Sequence, residues 1–201
     1  MIVNLDLPGS DIQYYENFLE NDESTDIFDY LNNLDGWEKK KIKVFGKECY
    51  QNRETVVFSE KGLNYKYSGI DNIGFDINSH GILIKIKNKI ERFLNNQYNF
   101  NYILCNRYKT GRENIGMHSD DEKNLFGPIV SISLGVSRFF DITGKPNTIG
   151  NSLKKRIELK NGSMLIMSGE TQTNYKHGIP KQNKISETRI NLTYRIIENR
   201  K

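Results

Sequence analysis

A mainly β chain of the α+β class, a β-sandwich supported by helices in its N-terminal half, is predicted by three observations. Helical periodicity is confined to the first half of the sequence. After Phe100 strand signals dominate, and several of those later segments alternate apolar and polar residues with a period of two. The 201 residues suit one compact domain over positions 1–201, with no linker and no internal repeat: helices and hairpins over 1–100, a β core over 101–201.

Taken in order, Asp11 to Glu20 and Thr25 to Leu34 read as two short helices. The second is capped by Ser24 and carries Ile27, Phe28, Leu31 and Leu34 on one face. Asp35-Gly36 marks a turn, and from Trp37 to Ser68 β-favouring residues separated by short turns predict hairpins. Leu83, Ile86, Ile90, Phe93 and Leu94 define an amphipathic helix. Strands follow at Tyr102–Tyr108, Val130–Leu134, Arg138–Phe140, Arg156–Leu159, Ser163–Met167 and Arg189–Ile196.

The formal net charge of +4 is modest, but the lysines cluster. Lys39-Lys40-Lys41 stands with Lys43 and Lys47, and Lys154-Lys155-Arg156 forms a second group. Beside a groove these would contact phosphates and make affinity fall with salt; elsewhere they are solvated faces. No stretch is long and apolar enough to span a bilayer, and Met1 to Pro8 lacks the charged start and apolar run of a signal peptide. A soluble, intracellular monomer with no membrane partner is expected, nuclear if the host is eukaryotic. Cys49 and Cys105 form no close-spaced pair, so reduced thiols are the default.

Two of the three histidines stand where an open metal site needs them. In His118-Ser119-Asp120 one residue separates the two ligands, so on extended backbone both side chains leave the same face. His177, arriving from a distant strand, completes two histidines and one carboxylate, the set that leaves positions open on non-haem Fe(II). A structural zinc site would close all four positions.

Arg189-Ile190-Asn191-Leu192-Thr193-Tyr194-Arg195-Ile196 alternates strictly, with Ile190, Leu192, Tyr194 and Ile196 opposite Arg189, Asn191, Thr193 and Arg195. If both faces are enclosed, burial of two guanidinium groups calls for a dianionic ligand between them. The other reading is an edge strand with a solvated polar face. Asn106 and Tyr108 share a face of their own strand and add two neutral hydrogen-bonding groups.

Together, Asn106-Arg107-Tyr108, Ile115 through Glu122, His177 and the Arg189–Arg195 strand resemble the AlkB family of Fe(II)/2-oxoglutarate dioxygenases, most closely its duplex DNA-repair branch. The order and spacing fit across the C-terminal half, and a weaker match extends back to about Val44. The resemblance makes the sandwich a double-stranded β-helix, or jelly roll, and the hairpins a nucleotide-recognition lid. It implies Fe(II) on His118, Asp120 and His177, with 2-oxoglutarate and O2 as cosubstrates. It also implies Arg189 on the distal carboxylate of 2-oxoglutarate, with Asn106, Tyr108, Asn191, Thr193 and Arg195 holding the rest.

By the same resemblance the substrate side comprises Phe45, Gly46, Arg53, Tyr65, Tyr67, Ser68, Asp121 and Glu122. Phe45 would fill the gap left by an extruded base, and Tyr67 would stack on that base opposite His118. An apolar wedge offsets part of the few kcal/mol of unpairing and unstacking. On residue type alone Phe45 is a hairpin or core aromatic. Asp121 would face the damaged base, where a carboxylate favours a cationic methylated base over its neutral parent; otherwise Asp121 and Glu122 form a solvated acidic turn.

The implied activity is oxidative demethylation of N-alkylated bases such as 1-methyladenine and 3-methylcytosine in DNA, releasing formaldehyde. One departure bears on the substrate. Duplex-repair relatives carry a basic run after the second iron histidine, where this chain has Lys181-Gln182-Asn183-Lys184, only partly basic. The same chemistry on RNA or single strands is therefore the nearest rival. A protein or small-molecule hydroxylase has no need of the aromatic lid, and a non-catalytic nucleic-acid-binding module has no need of the metal and arginine motifs.

Overall fold

Alternation in the sequence becomes layering in the structure. The computed structural model describes residues 2–44, 46–61, 63, 66–67, 70–71 and 74–198. The N-terminal half contains β1 (Ile2–Asn4), β2 (Asp11–Tyr15), α1 (Asn21–Asn32), β3 (Lys41–Val44), β4 (Lys47–Tyr50), β5 (Glu54–Ser59), β6 (Lys66–Tyr67), β7 (Ile70–Asp71), β8 (Phe75–Asp76) and α2 (Gly81–Phe93). The C-terminal half contains β9 (Tyr102–Tyr108), β10 (Ile115–His118), β11 (Leu125–Gly135), β12 (Arg138–Gly144), β13 (Lys154–Leu159), β14 (Met164–Ser168), the single turn α3 (Thr171–Asn174), β15 (Tyr175–Ile179) and β16 (Arg189–Ile197).

Eight strands form one sheet in the order β1-β2-β14-β11-β16-β9-β5-β8, and four form a second in the order β10-β15-β12-β13. The two sheets enclose a core that includes Ile12, Tyr108, Ile129, Phe140, Ile142, Leu165, Met167 and Ile179. The other face of the large sheet carries Val56, Phe58, Ile103, Cys105, Val130, Ile132, Leu134, Ile190, Leu192 and Tyr194. Ile27 and Leu31 of α1 and Leu83, Ile86 and Ile90 of α2 cover that face. This is the double-stranded β-helix with helices on one side. β16 is buried at every position except Ile196, which is half-buried, so the edge-strand reading of its polar face is excluded.

Four local expectations are corrected. Asp11 to Tyr15 is a strand, and its Ile12 pairs with Met167 of β14. Its own alternation of Ile12 and Tyr14 toward the inter-sheet core prevails over the helical pattern. The helix after it starts at Asn21, so Ser24 is no cap: it lies buried within the first turn and its hydroxyl bonds back to the Asn21 carbonyl. Glu54–Ser59 does not belong to the hairpin region but pairs with β9 in the large sheet, while β3 and β4 do form a hairpin. Phe93, at the end of α2, is exposed rather than in the core, and meets Tyr15 and Phe18 edge-on.

Candidate active site

The two sheets bring the sequence-predicted residues to one pocket. Alternation aims Asn106 and Tyr108 of β9 and Arg189, Asn191, Thr193 and Arg195 of β16 into the space between the sheets, where β10 and β15 present His118 and His177. Arg53 and Asp120 join the lining. The pocket encloses a small cavity of about 50 Å³.

His118 and His177 sit opposite each other in the β10–β15 register, and their ring centroids are 4.4 Å apart. Asp120, just beyond β10, places Oδ1 3.7 Å from His118 Nε2 and Oδ2 3.9 Å from His177 Nε2. One ligand atom from each of the three residues falls within 4.8 Å of the others. His118 Nδ1 donates to the Gly116 carbonyl at 2.9 Å, which leaves Nε2 as the unprotonated nitrogen for a metal. Phe140 stacks on the His177 ring at 5.3 Å. The Asp120 amide donates to Gln172 Oε1 at 2.9 Å, and the Ser119 hydroxyl to the Tyr175 carbonyl, so the motif is tied to the α3–β15 corner.

Protonation states suit a cation. Burial lowers the pKa of His118, and burial together with the neighbouring His118 pushes His177 down to about 3. Burial would raise the Asp120 carboxyl, but Arg195 and the two imidazoles outweigh it and hold it at about 2. At neutral pH the site therefore offers two neutral imidazoles and one carboxylate. Asp120 Oδ1 is buried and accepts no hydrogen bond among the described residues. An unsatisfied buried carboxylate oxygen beside two imidazole nitrogens fits a divalent metal.

The opposite wall fits an anion. Arg189 is 1 % exposed, donates from Nη2 to Ser133 Oγ at 2.9 Å, and leaves Nε without a partner. Burial pushes its guanidinium down to about 10, with Tyr108 opposing and the Arg138 charge adding to the push. No carboxylate of the described residues forms an ion pair with it. Arg195, on the same face of β16, reaches the metal-ligand side, with Nη2 2.8 Å from Asp120 Oδ2. Between them runs a hydrogen-bonded chain from the start of β5 to the floor of the pocket. Arg53 Nε donates to Asn106 Oδ1, Asn106 Nδ2 to Asn191 Oδ1, and Asn191 Nδ2 to Ser131 Oγ; Thr193 Oγ1 also donates to Asn191 Oδ1.

Of the substrate-side residues, Arg53 is buried in this lining. Asp121 and Glu122 stand outside it. The Asp121 side chain is 67 % exposed and 3.5 Å from Lys145 Nζ, whereas Glu122 is partly buried, with its pKa raised chiefly by that burial. Gly46 takes φ of +81° at the β3–β4 turn, which explains a glycine there. Tyr67 contributes backbone to β6; Phe45, Tyr65 and Ser68 lie outside the described residues. The sequence reading missed Ser131, Ser133, Phe140, Gln172 and Arg138. The two serines were visible as the polar members of the alternating Val130–Leu134 segment; the other three carry no local signal.

A model of the 2OG-Fe(II) oxygenase superfamily matches residues 11–195. The chain is 35 % identical over 212 residues to DNA oxidative demethylase ALKBH2 of Arabidopsis thaliana, covering 94 % of this chain and 67 % of that protein. It is 34 % identical over 188 residues to alpha-ketoglutarate-dependent dioxygenase alkB homolog 3 of Bos taurus, covering 90 % and 64 %. The chain thus spans about two thirds of the length of each. The solved structure of OsALKBH1 superposes with a TM-score of 0.61 over 98 % of this chain and 100 % of that one; at 20 % identity this shows the fold.

Proposed function

The chain belongs to the 2OG-Fe(II) oxygenase superfamily and, within it, to the AlkB homologues; from that membership we propose that it oxidatively demethylates N-alkylated bases in DNA. The observation that carries the reading is the opposition of two incomplete sites in one pocket: the His118, Asp120 and His177 triad, and the Arg189 guanidinium, which has no counter-ion among the described residues. A metal chelated by a 2-oxo acid with a distal carboxylate answers both at once.

His118 Nε2, His177 Nε2 and an Asp120 oxygen would hold Fe(II), and Arg189 would hold the far carboxylate of 2-oxoglutarate. Bound Fe(II), 2-oxoglutarate and O2 supply the oxidising power that hydroxylates an N-methyl group, with succinate and CO2 as coproducts. Arg195 fixes the Asp120 carboxylate, and Gln172 fixes its backbone. Asn106, Asn191 and Thr193 form a polar floor whose groups already bond to one another, so it orders a ligand with little further loss of freedom. The resulting hydroxymethyl group on the base nitrogen breaks its N–C bond to give formaldehyde and the unmodified base. Asp121, the exposed neighbour of the metal ligand Asp120, would favour cationic 1-methyladenine and 3-methylcytosine over neutral bases.

One observation favours single-stranded DNA or RNA as the substrate. Gln182, in the middle of the segment that is basic in duplex-repair relatives, turns inward: its Oε1 accepts from Arg138 Nε and from the Phe139 amide. Lys181 and Lys184 are the exposed basic residues this segment offers a second strand. Succinate formation from 2-oxoglutarate tests the reading. Addition of an oligonucleotide carrying 3-methylcytosine should stimulate it over the unmethylated oligonucleotide, and His118→Ala should abolish it. Turnover indifferent to methylation would remove nucleic-acid repair from the account.

A further inference from the structure

Arg138, at the first position of β12, is 0 % exposed, with Arg189 among the largest of the fully buried side chains, and it forms no ion pair among the described residues. A guanidinium in that state is costly unless its N–H groups are met. Four hydrogen bonds meet them: Nη2 to the Glu113 and Pro180 carbonyls at 2.8 Å, Nη1 to the Thr110 carbonyl at 3.2 Å, and Nε to Gln182 Oε1 at 3.2 Å. Thr110 and Glu113 lie between β9 and β10, and Pro180 and Gln182 follow β15. One side chain thus pins two connections that flank the pocket to a strand of the small sheet.

The same guanidinium faces the Tyr108 ring at 5.6 Å, and Arg189 faces that ring at 5.5 Å. A single phenol is therefore contacted by two buried cations, one from β12 and one from β16. Tyr108 closes the end of β9 opposite Arg189 in the strand register. Backed by Arg138, the ring has a fixed position against which the Arg189 guanidinium rests, and among the described residues no carboxylate pairs with that guanidinium to orient it.

We propose that Arg138 is a positioning residue for the cosubstrate: it holds the Tyr108 ring, and through it the Arg189 guanidinium, where the distal carboxylate of a 2-oxo acid is received. The proposal rests on the reading of Arg189 as the partner of that carboxylate. Lysine cannot take over the task, because three donors on one atom do not reach acceptors on two separate connections and present no planar face to the ring. The role is selective for the distal carboxylate, since among the described residues Arg138 shares no hydrogen bond, ion pair or ring contact with His118, Asp120 or His177, which would hold the metal that takes the 2-oxo acid end.

The test is calorimetry on the Mn(II)-loaded protein with 2-oxoglutarate and with 2-oxobutyrate, which lacks the distal carboxylate, alongside thermal melts. Arg138→Lys should weaken 2-oxoglutarate about tenfold or more, the scale of losing an outer support of a bound group, and leave 2-oxobutyrate within about threefold. Equal weakening of both ligands, or no change in either, would overturn the proposal. If Arg138→Lys does not fold, Gln182→Ala removes one acceptor only and should shift the same ratio in the same direction; an unchanged ratio overturns the proposal. Wild-type protein that does not prefer 2-oxoglutarate over 2-oxobutyrate would instead remove the Arg189 reading, and the proposal with it.

Discussion

Arg195 Nη2 lies 2.8 Å from Asp120 Oδ2, and both side chains are almost fully buried, at 2 % and 3 % exposure. The guanidinium stabilises the ionised carboxylate before any metal arrives and leaves Oδ1 for coordination. Arg195→Met should therefore cost the metal-free protein about 3–5 kcal/mol, the scale of breaking a buried pair. Mn(II) should recover part of that loss, because a divalent cation replaces the missing charge. Melting curves with and without Mn(II) check this: the metal-induced shift should be larger in the variant than in the wild type.

Arg189→Ala should weaken 2-oxoglutarate binding by roughly 2–5 kcal/mol, since it removes the cation that would pair with a buried carboxylate. Calorimetry on the Mn(II)-loaded protein reads this directly. Unchanged affinity would mean that the anion goes elsewhere.

Glu54 bonds to Arg107 and Lys109, both at 2.8 Å. Burial opposes its ionisation, but the hydrogen bonds from Lys109 and Arg107 prevail and lower its pKa. A depressed folded pKa gives stability that is present above the unfolded-state value and lost as pH falls through the folded one. Glu54→Gln should be less stable than wild type by about 1 kcal/mol at pH 7. The gap should close below the ordinary glutamate range. A gap independent of pH in urea titrations would assign the loss to packing.

Gly111 has no room for a side chain: a Cβ there would lie 1.9 Å from the Gln182 carbonyl oxygen. Its backbone donates to Ile185 and accepts from Gln182, which locks the connections on either side of the pocket together. Gly111→Ala should destabilise by about 1–3 kcal/mol, the cost of forced repacking. An unchanged melting temperature would show that the two connections are not held against each other.

The site was legible wherever chemistry and periodicity coincide. β16 declared itself because its two faces differ so sharply, and the same contrast placed Asn106 and Tyr108 on β9. Asp11–Tyr15 was misread because a short segment with Ile12 and Tyr14 also suits a helix, and its partner β14 is remote in sequence. Arg138 was visible only as the start of a short strand; its acceptors are three backbone carbonyls and the Gln182 side chain, all distant in sequence, which no local pattern announces. Ser131 and Ser133 registered as strand residues, but their role as partners of Asn191 and Arg189 depends on the β11–β16 register.

The most direct test is the mass of a methylated oligonucleotide after incubation with the protein, Fe(II), ascorbate and 2-oxoglutarate. Single-stranded and duplex DNA carrying 3-methylcytosine or 1-methyladenine should each be offered, with His118→Ala as control. The account predicts loss of one methylene unit with wild type alone, formaldehyde in equal amount, and faster loss from the single strand. No change in mass while 2-oxoglutarate is converted to succinate would contradict it, leaving an oxygenase whose substrate is not an N-methylated DNA base.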